Sequence, residues 1–326
     1  MMRRRGLLGA AALALPAAGR AQEAPPPGLA GKPVRIVIGF TPGGAVDILA
    51  RAVAPRLGEA LGQPVVVENR PGAGAAIATE AVVRAPPDGL TLGYASVGVL
   101  VVAPLVFRDL PYDPAQDLQP VGLLADIANV LVVPPSRPWH RLEEFLAAAR
   151  ARPGSLNWGH SGVGTAGFLA AYLLDQMAGI STVGVAYRGG APLATDLMGG
   201  RLDYALSTSA SVLGQIREGK LRALAVSSPV RQPWLPEVPT IAEAGVPGFG
   251  VAGWGGLVVP RATPAPIVAR LEAALRETVA DAGVRALFHR NGLLPLEGGA
   301  ADFAALWASE TARWTPVIRA SGARPD

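Results

Sequence analysis

The sequence predicts an α/β protein of two lobes, each a mainly parallel sheet flanked by helices, with two hinge crossings between them. Three observations carry this. Short apolar runs alternate with segments of helical period, the pattern of strand–helix–strand units over a parallel sheet. Many of the runs end in a glycine turn that opens a helix. The first unit breaks off near residue 127, a second occupies 127–229, and the first resumes after 230, which predicts a cleft with a hinge. At 326 residues, half of them hydrophobic, the chain is longer than one usual domain and can fill two cores. Its 40 Gly and 31 Pro are explained by many short turns between these elements.

The chain opens with an export segment at 1–21. Arg3, Arg4 and Arg5 precede an apolar run from 7 to 15, too short to span a bilayer, and Gly19-Arg20-Ala21 offers small residues for cleavage before Gln22. The arginines suit both an ordinary secretory signal and a twin-arginine one. Removing Arg3, Arg4, Arg5 and Arg20 from 29 basic residues leaves 25 against 25 acidic ones, so the exported chain is neutral. The positive formal charge therefore gives no support to nucleic-acid or membrane-surface binding. With no cysteine there is no disulfide, lipid anchor on Cys or thiolate metal site, and three scattered His form no ligand cluster; no metal and no cofactor are expected.

After a flexible leader at 22–32, the first lobe is expected at 33–126 plus 230–326. Residues 34–40 form a buried strand ending in Thr41-Pro42-Gly43-Gly44, and Val46, Leu49, Val53 and Leu57 make the seam of the next helix, which Pro55 should shorten or kink. Residues 65–68 and 91–95 are further strands, the first running into the glycine turn 69–74, the second ending at Ser96-Val97-Gly98. Residues 121–133 form a long apolar stretch and read as one strand passing between the units. The second lobe, 127–229, has helices at 142–150, 166–177, 191–198 and 209–217 and strands at 155–158, 182–187, 202–206 and 221–226. The proline-rich stretch 228–250 crosses back, followed by a strand at 254–259, a helix seamed by Ile267, Leu271, Leu275 and Val279, and a C-terminal helix marked by Phe303, Trp307 and Trp314.

Four glycine turns, at 41–44, 96–98, 161–165 and 187–190, carry hydroxyl residues and should meet beyond the carboxyl ends of the strands, where open α/β sheets bind ligands. Glycine lets backbone N–H groups approach a ligand, and a helix starting there adds unpaired donors and its positive end, so the turns suit an anion. Asp47 either complements the dipole of its helix or accepts a hydrogen bond from a ligand, and Arg188 is either a solvated charge or a partner for a second carboxylate. Gly162-Val163-Gly164-Thr165-Ala166-Gly167 matches the spacing of a dinucleotide turn, but no acidic residue ends the next strand. Gly159-His160-Ser161-Gly162-Val163 lacks the last glycine of a nucleophile elbow, and His160 adjoins Ser161 too closely to act as its base. A secreted NADP-linked oxidoreductase or serine hydrolase is the rival class. His140 and His289 fall in polar segments of helical character.

Lys32-Pro33-Val34-Arg35-Ile36-Val37, Pro42-Gly43-Gly44-Ala45-Val46-Asp47, Leu61-Gly62-Gln63-Pro64 running on to Asn69-Arg70-Pro71-Gly72-Ala73-Gly74, Pro87-Asp88-Gly89-Leu90-Thr91, Leu110-Pro111-Tyr112-Asp113-Pro114, Tyr187-Arg188-Gly189 and Val238-Pro239-Thr240-Ile241 resemble the Bug family of periplasmic solute-binding proteins, receptors of tripartite tricarboxylate transporters. The resemblance covers essentially all of the exported chain, in order. It implies a periplasmic-binding-protein (Venus flytrap) fold that closes on a small organic carboxylate and hands it to membrane permease subunits as a monomer, without catalysis; a sensory role beside a membrane kinase is the other outcome it leaves open. It points to Thr41, Gly43, Gly44, Asp47, Ser96 and Val97 from one lobe and Ser161, Gly164, Thr165, Tyr187 and Gly190 from the other as ligand-binding residues. Thr41, His160, Val163 and the pair Ser207-Thr208 depart from what members often carry. His160, Arg188, Ser207 and Thr208 are thus the candidates for specificity, with nicotinate-like, dicarboxylate, tricarboxylate and amino-acid ligands all open.

Overall fold

The computed structural model describes residues 31–107, 109–162, 165–187 and 189–321. The export segment expected at 1–21 and the leader as far as residue 30 lie outside these. In chain order the first lobe contributes β1 (Val34–Ile38), α1 (Ala45–Leu61), β2 (Val65–Asn69), α2 (Ala76–Val83), β3 (Thr91–Ser96), α3 (Ala103–Val106), α4 (Pro114–Asp117) and β4 (Leu118–Asp126). The second contributes β5 (Asn129–Val133), α5 (Leu142–Ala151), β6 (Asn157–His160), α6 (Ala166–Ala178), β7 (Val183–Ala186), α7 (Gly190–Met198), β8 (Tyr204–Thr208), α8 (Ser209–Arg217) and β9 (Arg222–Val226). The chain then returns through β10 (Trp254–Pro260), α9 (Ala265–Ala280), α10 (Ala282–Arg290), β11 (Leu294–Pro295) and α11 (Ala300–Ser321).

Two separate sheets result, ordered β11-β4-β10-β3-β1-β2 and β7-β6-β8-β5-β9. β1 is parallel to β2 and β3, and β6 is parallel to β7 and β8. β10 runs against β3 and β4, and β5 against β8 and β9. The exceptions have a cause: β5 and β10 are the strands by which the chain enters each lobe from the other, whereas parallel neighbours are joined by helical crossovers. The two-residue β11 also runs against β4.

Strand alternation divides the core. Val34, Ile36, Ile38 and Leu92 face α1, α9 and α10, while Val37, Ala95 and Val258 face α2 and α11. In the second lobe Leu131 and Val133 pack with α5 and α6, and Val130 and Val132 with α7 and α8.

Three expectations are corrected. The apolar run 121–133 is not one strand: β4 ends at Asp126, β5 starts at Asn129 in the other sheet, and Ile127-Ala128 form the first crossing. Continuous apolarity reflects burial on both sides of the break, which periodicity cannot see. Pro55 does not shorten α1, which runs on to Leu61 and ends on Gly62 in the left-handed conformation (φ 74°). Pro55 is exposed, so the carbonyl left without a helical donor lies on the solvent side. His140 also sits in the loop before α5 rather than in a helix, and the sequence reading missed α10 as a distinct element.

Candidate functional site

A cavity of about 600 Å³ lies between the two sheets, lined from both lobes. On the first lobe β1 ends in a turn through Gly43 (φ 79°), whose N–H donates to Asp47 Oδ2 at 2.9 Å. Asp47 is 4% exposed. It also accepts from Arg51 Nε at 3.0 Å and from Asn69 Nδ2 at 2.9 Å. Burial alone would raise its carboxyl, but the bonds from Arg51, Gly43 and Asn69 outweigh it and hold the group below its ordinary value. Asp47 therefore staples the turn to the helix and to the end of β2. Thr41, Gly44, Ala45 and Val46 line the cavity, and Gly43 and Asp47 stand behind that wall.

Beside this turn, 71–75 folds over the end of β1. Ala73 (φ 46°) and Ala75 (φ 78°) adopt the left-handed region without being glycine. Ala75 sits so close that a Cβ on Gly39 would fall 2.2 Å from its own Cβ, so only glycine fits at 39. Ser96 and Val97 complete this wall.

On the second lobe, Ser161, Gly162 and Thr165 line the cavity at the start of α6. The Thr165 hydroxyl caps that helix, accepting from Phe168 N at 3.3 Å and donating to the Gly162 carbonyl at 3.0 Å. Tyr187 donates its hydroxyl to Asp196 at 2.9 Å, and Asp196 is held by Arg201 at 2.6 Å, so the ring is pinned. Burial, and then the bond to Asp196, push the Tyr187 hydroxyl above its ordinary value, and it stays neutral. Gly190 and the half-buried Thr208, whose hydroxyl is 2.8 Å from Ser211 Oγ, stand beside it, with Ser207 buried in the same wall. A Cβ placed on Gly189 would lie 2.9 Å from Thr41 Oγ1, so the two lobes meet at the mouth.

His160 does not line the cavity; its ring packs 5.2 Å from Trp158 and 5.1 Å from Phe168 within the second lobe. Gly164 and Arg188 lie outside the described residues.

The hinge end of the cavity was missed from the sequence. It is made by Tyr94, Ile127, Asn129, Gly253 and Trp254. Asp126 accepts from Gly253 N at 2.9 Å, and Ile127 N donates back to the Gly253 carbonyl at 2.9 Å, tying one crossing to the other. Burial lifts the Asp126 carboxyl, with the Gly253 bond opposing, and burial lifts the Tyr94 phenol. Asn129 is fully buried, yet neither its Oδ1 nor its Nδ2 has a hydrogen-bond partner among the described residues. Leaving such a group unpaired costs about 1–3 kcal/mol. The signal was present: Asp126 and Asn129 are the only polar side chains in the run 121–133.

No described lining residue carries a formal charge. Instead the N-terminal turns of α1, α6, α7 and α8 open on the cavity, each bringing the positive end of its dipole to it. Such a site holds an anion by neutral donors between walls that include Phe40, Val46, Leu193 and Trp254.

The chain matches the family model described as tripartite tricarboxylate transporter family receptor over residues 49–323. It is 34% identical over 294 residues to protein BugT of Bordetella pertussis, covering 90% of each chain. Among solved structures it is similar to R. palustris Rpa4515 with adipate, at TM-score 0.86 and 35% identity over 90% of this chain and 98% of the other. It is also similar to MatC from Rhodopseudomonas palustris with bound malate, at TM-score 0.81 and 34% identity over 87% and 98%.

Proposed function

The chain belongs to the tripartite tricarboxylate transporter receptor family, and from that premise we propose that it is a periplasmic receptor which captures a small organic carboxylate between its lobes and delivers it to the membrane permease subunits of such a transporter. The observation that carries the reading is the set of helix N-termini from both lobes opening on one uncharged cavity. Neutral donors hold an anion in closed lobes and let it go when they part, as a shuttle requires. In this reading the carboxylate is held by the N–H groups of Ala45 and Val46 and the hydroxyls of Thr41 and Ser96 on one side, with Gly44 letting it come close. Ser161, the N–H groups around Thr165, and Gly190 hold it on the other. The first lobe runs from 33 to 126 and resumes after the segment 230–250, whose Trp234, Leu235 and Val238 pack with Val130 and Val132 of the second lobe; the export segment is cleaved near Ala21, and the receptor works as a monomer without chemistry on its cargo. Adipate in Rpa4515 and malate in MatC support a carboxylic acid as that cargo.

Thermal melting against a panel of mono-, di- and tricarboxylates, nicotinate and acidic amino acids tests this. A cognate acid at 100 times its Kd should add about 2.7 kcal/mol of stability. Failure of every acid to raise the melting point, together with NADPH binding or ester turnover, would overturn the receptor reading.

A further inference from the structure

We propose that Asn129 is a specificity-determining ligand residue, and that the bound acid carries at its hinge-side end a neutral group that both donates and accepts a hydrogen bond, a hydroxyl or a primary carboxamide. This rests on the reading of the cleft as a carboxylate site.

Asn129 is the first residue of β5 and its backbone is already committed, its N–H to Ser227 Oγ at 3.3 Å and its carbonyl to Ser227 N at 2.8 Å. Its side chain shares a strand face with Leu131 and Val133, both fully buried against α5 and α6. A position on that face calls for an apolar residue; this one holds an amide that is 0% exposed, lines the cavity and has no partner among the described residues. Gly167, at the start of α6, leaves room for it: a Cβ there would stand 3.2 Å from Asn129 Oδ1. Neighbouring side chains leave it unpaired. Ile127 and Leu206 are apolar, and the indole N–H of Trp254 is committed to Glu310 at 3.1 Å.

An amide sets an acceptor beside a donor, whichever of its two ends is oxygen. A methyl end of a ligand satisfies neither atom. A carboxylate satisfies the NH₂ and leaves the oxygen facing a like charge. A hydroxyl or carboxamide satisfies both. The anionic end of the same ligand is taken by the hydroxyls and helix-start N–H groups of the glycine turns.

The test is calorimetric titration of the exported chain, as wild type, Asn129→Leu and Asn129→Asp. The probes are straight-chain acids of four to eight carbons whose far end is methyl, hydroxyl, carboxamide or carboxylate. At its preferred length the wild type should bind the hydroxyl or carboxamide acid at least about tenfold tighter than the methyl acid, because the methyl leaves a buried amide unpaired. Asn129→Leu should erase or reverse that preference, and Asn129→Asp should reject the diacid while keeping the hydroxy acid. Should the leucine variant not fold, Asn129→Ala removes the amide without added bulk and gives the same comparison. A wild type that favours the methyl acid, or a preference unchanged by removing the amide, overturns the proposal and leaves the carboxylate reading standing. Failure of every probe, with failure of the wider acid panel above, overturns both.

Discussion

At the scale of single residues, Asp47 shows how a helix-start acid can serve the fold. Its carboxylate is surrounded by Gly43, Arg51 and Asn69, all donating to it. Asp47→Ala should therefore lower the stability of the unliganded protein by about 2–3 kcal/mol, the range for hydrogen bonds to a buried charge, which is several degrees of melting temperature. Affinity should follow only as far as the turn itself loosens. Because the folded-state carboxyl lies below its ordinary 3.8, the stability it contributes is fully present above that pH and is lost as the pH falls through the lower folded value. Melting temperatures of wild type and Asp47→Asn should accordingly differ by a constant amount at neutral pH and draw together in acid; a gap that stays constant into strong acid would show that the charge does not matter. The sequence reading could place Asp47 in the first helical turn, because local spacing decides that. It could not see Asn69, 22 residues away, which reaches Asp47 only once β1 and β2 are paired.

At the scale of elements, the strand and helix alternation was readable because each apolar run and each helical seam is a local pattern. What escaped was the break at Ile127-Ala128, where two buried strands abut and only Asp126 and Asn129 interrupt the apolar run. The hinge end of the cavity was lost with it, since Asn129 looks like the middle of a strand until the crossing is known. In the proposed binding mode the helix starts hold the acid. Thr165→Ala removes the cap of α6, and a lost cap costs about 1 kcal/mol. The variant should melt a few degrees lower and bind its acid several-fold more weakly, as the first turn no longer holds its N–H groups toward the cavity. An unchanged affinity in titration would mean that α6 only walls the cleft.

At the scale of the molecule, the two crossings behave as one joint. Ser227 is fully buried, and its hydroxyl donates to the Val251 carbonyl at 2.9 Å while accepting from Asn129 N. Asp126 and Gly253 add a second tie. Ser227→Ala leaves buried polar groups unpaired, which costs about 1–3 kcal/mol, and frees the crossings from each other. X-ray scattering should then give a larger radius of gyration for the empty protein. Binding should weaken in proportion to the lost closed population. Compactness and affinity both unchanged would show the hinge to be held elsewhere. The contact of Gly189 with Thr41 across the mouth has a consequence of another kind, in time rather than affinity. Where the jaws touch, the way out of the cleft is narrowed, so the dwell time of a bound acid should depend on how often the lobes part as well as on how tightly it is gripped. A membrane partner that merely wedges them open would unload the cargo without competing for it, and one such wedge would serve every acid the cleft accepts.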